Sequence, residues 1–347
     1  MSDELAVIEE VFEAEIVLDA DAQKMRDSHL SDEAREDLAR ATPPNTERAY
    51  ARWWDMAVEW CAREQRTAMP MSPDTLTAFI AHLRRQTSER TGKPYAASSL
   101  KQAVAAIRTA HNRAGHKNQP DTRDALDVIK VHSKDRASEG ARTRRAKPIT
   151  LDVLRLLLAQ CDRTTVRGQR DAALLVLGYG LMGRRSELAD LRIEHLSLGE
   201  DWVGVFIPMS KTDQMAQGET VEIPRHLAPD IDVMTIVVEY VASLAQDHIT
   251  EGLLLRRINR WGQVGESMSA ESISDITVAL AKAAGITDAE RATAHGLRAG
   301  GPTDAAERGV PVPFIAEHGR WSKNSTQVLT YVRPADKRRN NPLLGGK

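Results

Sequence analysis

The sequence predicts a mostly α protein in two parts: an N-terminal helical bundle, then a mixed, mainly α domain with a small antiparallel sheet. Three observations carry that expectation. Apolar residues recur at three- and four-residue spacing through residues 41–133, the period of helices with one buried side. Residues 134–147 (KDRASEGARTRRAK), ahead of Pro148, are polar and basic and read as a linker. Beyond them, two short runs at 202–208 and 219–224 alternate as strands do, through Val203, Val205 and Ile207 and then Val221 and Ile223. A chain of 347 residues is long enough to bury a core in each part.

Residues 1–40 form an acidic arm in which Leu5, Ile8, Val11 and Phe12 have the spacing of a loose helix, and Pro43-Pro44 stops it. The first bundle helix follows an Asn45/Thr46 cap and carries Tyr50, Trp53, Trp54, Ala57, Val58 and Cys61. Ser72-Pro73-Asp74 opens a second, with Leu76, Phe79, Ile80 and Leu83 on one side. A third starts at Ser98, turns Leu100, Val104 and Ile107 inward and stops at Gly115. A fourth begins at Asp121/Thr122 and carries Leu126 and Ile129. Trp53, Trp54 and Trp60 are expected in packing. Thr150 caps a helix in the second part, and apart from the sheet residues 225–331 are expected to be helical.

The formal charge of −2 conceals a division along the chain. Residues 1–40 hold 4 Lys/Arg against 13 Asp/Glu, residues 41–145 hold 19 against 11, and residues 146–347 hold 24 against 25. The acidic arm thus masks a middle segment of charge +8, the sign that favours nucleic acid. Candidate phosphate contacts are Lys101 and Arg108 on the third helix, with Arg113 and Lys117 near its end, and Arg142, Arg144 and Arg145 in the linker. Two cysteines cannot build a disulfide framework. The acidic N-terminus lacks the basic segment of a signal peptide, and no apolar run nears the roughly 20 residues that span a bilayer. The expectation is a soluble, cytoplasmic protein without a membrane partner.

Two tempting patterns lead elsewhere. Gly178, Gly180 and Gly183 form a GxGxxG after the apolar run Ala172–Leu177, but Glu200 and Asp201 precede the next strand instead of ending it. A dinucleotide fold needs the acid at the strand's end, and the run continues a helix-forming pattern. His111 and His116 stand five apart, which does not stack two metal ligands on one helix face.

Three segments carry chemistry. Gly183-Arg184-Arg185-Ser186-Glu187-Leu188 should open a helix running to about Leu191, with Arg184, Glu187, Leu188 and Leu191 on one side. The leucines turn that side to the core, so Arg184 points inward with Glu187 as the partner a buried guanidinium needs. Lys211 lies in the polar turn between the two strands. His295-Gly296-Leu297-Arg298 follows a cap at Thr293 or Ala294 in a helix that Gly309 ends. His295 and Arg298 fall three apart near that N-terminus, where free N–H groups favour phosphate. His318-Gly319-Arg320-Trp321 and then Tyr331 complete the set.

An R-x-x-E-L segment, a lysine in a β-turn, an H-x-x-R, a His or Trp and a C-terminal Tyr occur here in that order, and the chain resembles the tyrosine recombinases (the phage integrase family) over residues 41 to about 335. The stretch His295–Arg333 is nearest the Cre branch. Trp321 stands ten residues before Tyr331, one more than that pattern has, so His318 competes for its place; His318 reads as a helix-end residue.

The resemblance implies the tyrosine recombinase fold, with catalytic residues Tyr331, Arg184, Arg298, His295, Lys211, Trp321 and Glu187. It makes Tyr331 the nucleophile that forms a 3′-phosphotyrosine, and it puts Arg184 and Arg298 on the two non-bridging oxygens. His295 would assist proton transfer, Trp321 would donate its indole N–H, Lys211 would protonate the leaving 5′-oxygen and Glu187 would orient Arg184. Neither metal nor ATP is implied. The partner is double-stranded DNA with an inverted-repeat site, clamped between 41–133 and 148–335. Four copies on two sites would exchange strands through a Holliday junction, with the tail 336–347 and the acidic arm as candidate subunit contacts. A type IB topoisomerase and a non-catalytic DNA-binding regulator of the same fold are the alternatives. Dependence on a recombination site separates the first, and the full set of catalytic side chains argues against the second.

Overall fold

Most of the chain follows its helical periodicity. The computed structural model describes residues 31–89, 91–141, 145–208, 218–322 and 325–331, and the chain divides into two units, Met1–Arg142 and Thr143–Lys347. Its architecture is mostly helical with small antiparallel sheets.

In the first unit, α1 (Asp32–Arg40) lies within the acidic arm, and its Ser31 cap accepts from the Ala34 N–H at 3.2 Å. Helix α2 (Pro44–Arg63) starts at Pro44 itself, ahead of the expected Asn45/Thr46 cap; a proline at the first helical position gives up no hydrogen bond. Ser72 caps α3 (Pro73–Leu83) by accepting from the Thr75 N–H. A two-residue hairpin, β1 (Thr87–Ser88) with β2 (Lys93–Pro94), leads to α4 (Ala97–Arg113) and α5 (Arg123–Ser138). Helix α5 runs into the stretch read as linker, because no breaker occurs there before Gly140, which has a φ of 77°.

Leu76, Phe79, Ile80, Leu100, Ile107 and Ile129 fill the core of this unit. Trp53 and Trp60 are buried with them, Trp53 edge-on to Tyr95, so these tryptophans serve packing. Both ring nitrogens of buried His111 are engaged, Nε2 by the Met71 N–H at 2.7 Å and Nδ1 by the Ile107 carbonyl at 2.8 Å.

The second unit contains α6 (Leu151–Leu158), α7 (Val166–Gly180) and the short α8 (Arg185–Ala189). An antiparallel sheet follows, β3 (Leu196–Leu198), β4 (Trp202–Ile207) and β5 (Glu219–Pro224), with Val203 opposite Ile223 and Val205 opposite Val221. These three valines and Ile223 face the core. Next come the hairpin β6 (His226–Ala228) with β7 (Ile231–Asp232), then α9 (Val233–Gln246), α10 (Ala270–Ala283), α11 (Ala294–Glu307) and α12 (Val312–His318).

The expectation of helix throughout 225–331 is corrected here. Residues 226–232 form the second hairpin, and 247–269 are irregular, with Gly252 and Gly262 at positive φ. Gly178 and Gly180 lie inside α7, facing Leu297 and Ile223, so the glycine pattern is one of close packing. No helix among the described residues is long and apolar enough to cross a membrane.

Helix α11 is held along its length. The Lys147 N–H donates to the Arg291 carbonyl just before it, and the Ile149 N–H donates to Gly296 O, both at 2.9 Å. A Cβ on Gly300 would stand 1.8 Å from the Ile149 carbonyl oxygen, so only glycine admits this approach. Further along, buried Asp304 accepts from the Tyr179 hydroxyl at 2.6 Å and the Leu151 N–H at 2.7 Å.

Candidate active site

Met182 takes a φ of 46° before Gly183, and Arg184 follows as the extended N-cap of α8. The expected longer helix with Arg184 on its inner side is therefore corrected: α8 is Arg185–Ala189 and Arg184 stands just outside it. The Arg184–Glu187 pairing survives because the third helical residue reaches back to the cap. Glu187 Oε2 accepts from the Arg184 backbone N–H at 2.9 Å, and Oε1 accepts from Arg184 Nη1. Arg185 points outward and pairs with Glu271.

Helix α11 presents His295 and Arg298 one turn apart. Arg298 is buried; its Nη1 donates to Met182 O and its Nη2 to Gly319 O at 3.1 Å. Its guanidinium carbon lies 4.2 Å from the centre of the Trp321 ring. That ring folds back over the end of α12, where a Cβ on Gly319 would stand 1.7 Å from it. Trp321 is buried, yet its indole Nε1 donates to nothing among the described residues. A buried donor left unpaired costs about 1–3 kcal/mol, so it is an open position for an oxygen.

Tyr331 lies in helical backbone, and its hydroxyl is 3.1 Å from His295 Nε2. Its ring is 5.7 Å from that of Trp321 and packs against a small cluster that includes Met182, Ile315 and Val328. Arg184, Glu187, His295, Arg298, Trp321 and Tyr331 are thus brought to one place. His318 ends α12, as expected, and its Nε2 is bound to the Gly180 carbonyl at 2.7 Å. Lys211, Arg142 and Arg144 lie outside the described residues.

Charge and burial pull against each other in this site. Burial holds His295 below the usual histidine value, with the Arg298 charge adding to the effect. Burial brings Arg298 down to about 10, and the Arg184 charge contributes. Tyr331 is raised by burial, while Arg298 and Arg184 work to lower it. Burial would raise Glu187, but the charge of Arg320, together with Arg184, holds it below the ordinary value.

Arg320 is the member that sequence reasoning missed. Its side chain is 2% exposed; Nη2 donates to Glu187 Oε2 at 2.8 Å and Nη1 to Leu181 O at 3.1 Å. The one signal was a basic residue beside Trp321, and nothing local marks a pairing across 133 positions.

Among the candidate phosphate contacts in the first unit, Lys101 is exposed and Arg108 is half-buried; they are seven apart on α4, hence on one side. Arg113 is taken up by Glu47, through two bonds of 2.7 Å. In the second unit Arg145 is exposed, and its carbonyl accepts from Arg291 Nε at 3.0 Å. No group of three or more His, Cys, Asp or Glu among the described residues is arranged to hold a metal ion.

Residues 147–338 match the model of the phage integrase family. An integrase/recombinase xerD homolog of Selenomonas ruminantium is 29% identical over 90% of this chain and 89% of its own length. The recombinase cre of Escherichia phage P1 is 23% identical over 80% of each, so a particular nearness to Cre is not supported. The fold is similar to that of the XerH site-specific recombinase bound to palindromic difH substrate, with a TM-score of 0.55 and 13% identity over 78% of this chain and 71% of that one.

The chain belongs to the phage integrase family, the tyrosine recombinases. The general activity that membership carries is site-specific DNA strand exchange.

Proposed function

We propose that this chain cuts and rejoins duplex DNA at an inverted-repeat site, with Tyr331 as the nucleophile. The observation that carries the reading is the Tyr331 hydroxyl 3.1 Å from His295 Nε2, beside a buried arginine and an indole N–H that has no partner among the described residues. A phenol with an ordinary pKa near 10 is a poor nucleophile until its proton has an acceptor and the target phosphate is neutralised. Neutral His295 takes the proton as the Tyr331 oxygen bonds to phosphorus.

Arg184 and Arg298 bind the non-bridging oxygens and stabilise the charge of the pentacovalent state, and the Trp321 N–H donates to one of them. The bond from phosphorus to the 5′-oxygen then breaks, and Lys211 protonates that oxygen. The product is a 3′-phosphotyrosine, which conserves the bond energy; reversal by another strand's 5′-hydroxyl rejoins DNA without ATP. Four copies on two sites pass through a Holliday junction in this scheme.

The test is Tyr331→Phe, which removes one hydroxyl. Binding to site DNA should persist while the covalent protein–DNA adduct disappears, and the wild-type chain should form that adduct in excess EDTA. An adduct surviving in the variant would assign the nucleophile elsewhere.

A further inference from the structure

Arg320 stands in the left-handed region, with a φ of 54°, a conformation that side-chain-bearing residues rarely adopt. That turn sends its own side chain inward and brings the next residue, Trp321, over Arg298. The Glu187 carboxylate it meets is 5% exposed, and both its oxygens are used. Oε1 takes Arg184 Nη1, while Oε2 takes the Arg184 backbone N–H and Arg320 Nη2.

An arginine beside a carboxylate ordinarily forks onto both oxygens. Arg184 does not do so here; among the described residues its Nε and Nη2 donate to nothing. Arg320 holds the oxygen that the fork would need, and its second bond, to Leu181 O, ties it to the segment leading into Arg184.

We propose that Arg320 is a positioning residue for strand cleavage: by occupying Glu187 Oε2 it keeps Arg184 on a single bond and leaves the rest of that guanidinium free for the scissile phosphate. The inference rests on the reading of Arg184 as a phosphate ligand. Without Arg320, Glu187 swings to a forked pair with Arg184 and draws its N–H groups away from the DNA. Arg184 then fails to meet one charged oxygen, while the remainder of the site stays assembled.

The experiment uses the full chain and a duplex half-site that the wild type is first seen to cut. Adduct formation is followed in a single turnover on a normal linkage and on a methylphosphonate, which lacks one of the two charged oxygens. Arg320→Gly, which also relieves the positive φ, should slow cleavage of the normal linkage roughly 10- to 100-fold at saturating DNA, with half-site affinity unchanged. On the methylphosphonate the defect should shrink, as it should for Arg184→Ala, and Arg320→Lys should recover part of the rate on the normal linkage.

Equal defects of Arg320→Gly on both linkages would reduce Arg320 to a structural residue and overturn the proposal. So would a wild-type rate in Arg320→Gly alongside an inactive Arg184→Ala. A wild-type rate in Arg184→Ala itself would overturn the reading of Arg184 and the proposal with it. Thermal melting of each variant identifies one that fails to fold, and in that event Arg320→Lys decides between the same outcomes.

Discussion

At the scale of single residues the site turns on where one proton sits. Burial and the Arg298 charge hold His295 below its ordinary value of 6.5, so its folded form stays neutral down to a lower pH than a free imidazole would. Any stability that depends on this neutral ring is fully present above 6.5 and is lost below it, as pH falls through the lower folded value. The same neutrality is what the role proposed for His295, as acceptor of the Tyr331 proton, would require. The second-order rate constant for adduct formation, which reports on the free enzyme, should therefore fall on the acid side with a midpoint below 6.5. His295→Gln should be slow and should lose that limb; a limb of unchanged midpoint in the variant would belong to another group. Lys211 is tested by its leaving group. Lys211→Ala should cleave ordinary DNA slowly but recover on a substrate with sulfur at the 5′-bridging position, because a thiolate departs without a proton. Equal defects on both substrates would assign Lys211 to binding.

At the scale of elements, precision in α11 comes from a backbone contact. The Ile149 carbonyl approaches so closely that a Cβ on Gly300 would stand 1.8 Å from it, and a carbonyl cannot move aside as a flexible side chain can. Gly300→Ala should raise helix propensity yet destabilise the protein by about 1–3 kcal/mol, as overpacking does. Urea denaturation would register this as a lower midpoint, and adduct formation should slow because His295 and Arg298 ride on the same helix. A midpoint at or above that of the wild type would mean that the 147–149 segment simply moves away. Helix α8 makes the complementary point. Its five residues contribute little stability, and its value lies in placing Glu187 one turn from the Arg184 backbone.

For the molecule as a whole, the proposed strand exchange by four copies would require contacts between subunits, and the segment 336–347 (DKRRNNPLLGGK) is our candidate. It lies outside the described residues, so the case is one of composition. Leu343 and Leu344 are its only large apolar residues. Burying both in a neighbour would contribute roughly 3–6 kcal/mol before ordering costs, enough to favour assembly without locking it. Deleting residues 340–347 should leave binding to one half-site nearly unchanged while weakening cooperative filling of the second. Unchanged cooperativity in a gel-shift titration with one-half-site and full-site DNA would show that the tail takes no part.

Much of this protein was legible along the chain because its signals are local. Helical spacing from Tyr50 to Ile129 and alternation through Val203 and Val205 and then Val221 and Ile223 follow from neighbours within a turn or a strand, whereas the order Arg184, His295, Arg298, Trp321, Tyr331 was legible through the resemblance to a known family. Tertiary structure alone decided what those residues do to one another. Arg184 became an extended cap because the turn at Met182 precedes it, and Gly178 and Gly180 became packing positions because α11 and β5 come close. Arg113, a candidate phosphate contact by charge, was claimed by Glu47 across 66 positions. Arg320 was bound to Glu187 across twice that distance. Periodicity is written by each residue's own neighbours, whereas a buried charge takes whichever partner the folded core brings within 3 Å, and no local pattern names that partner.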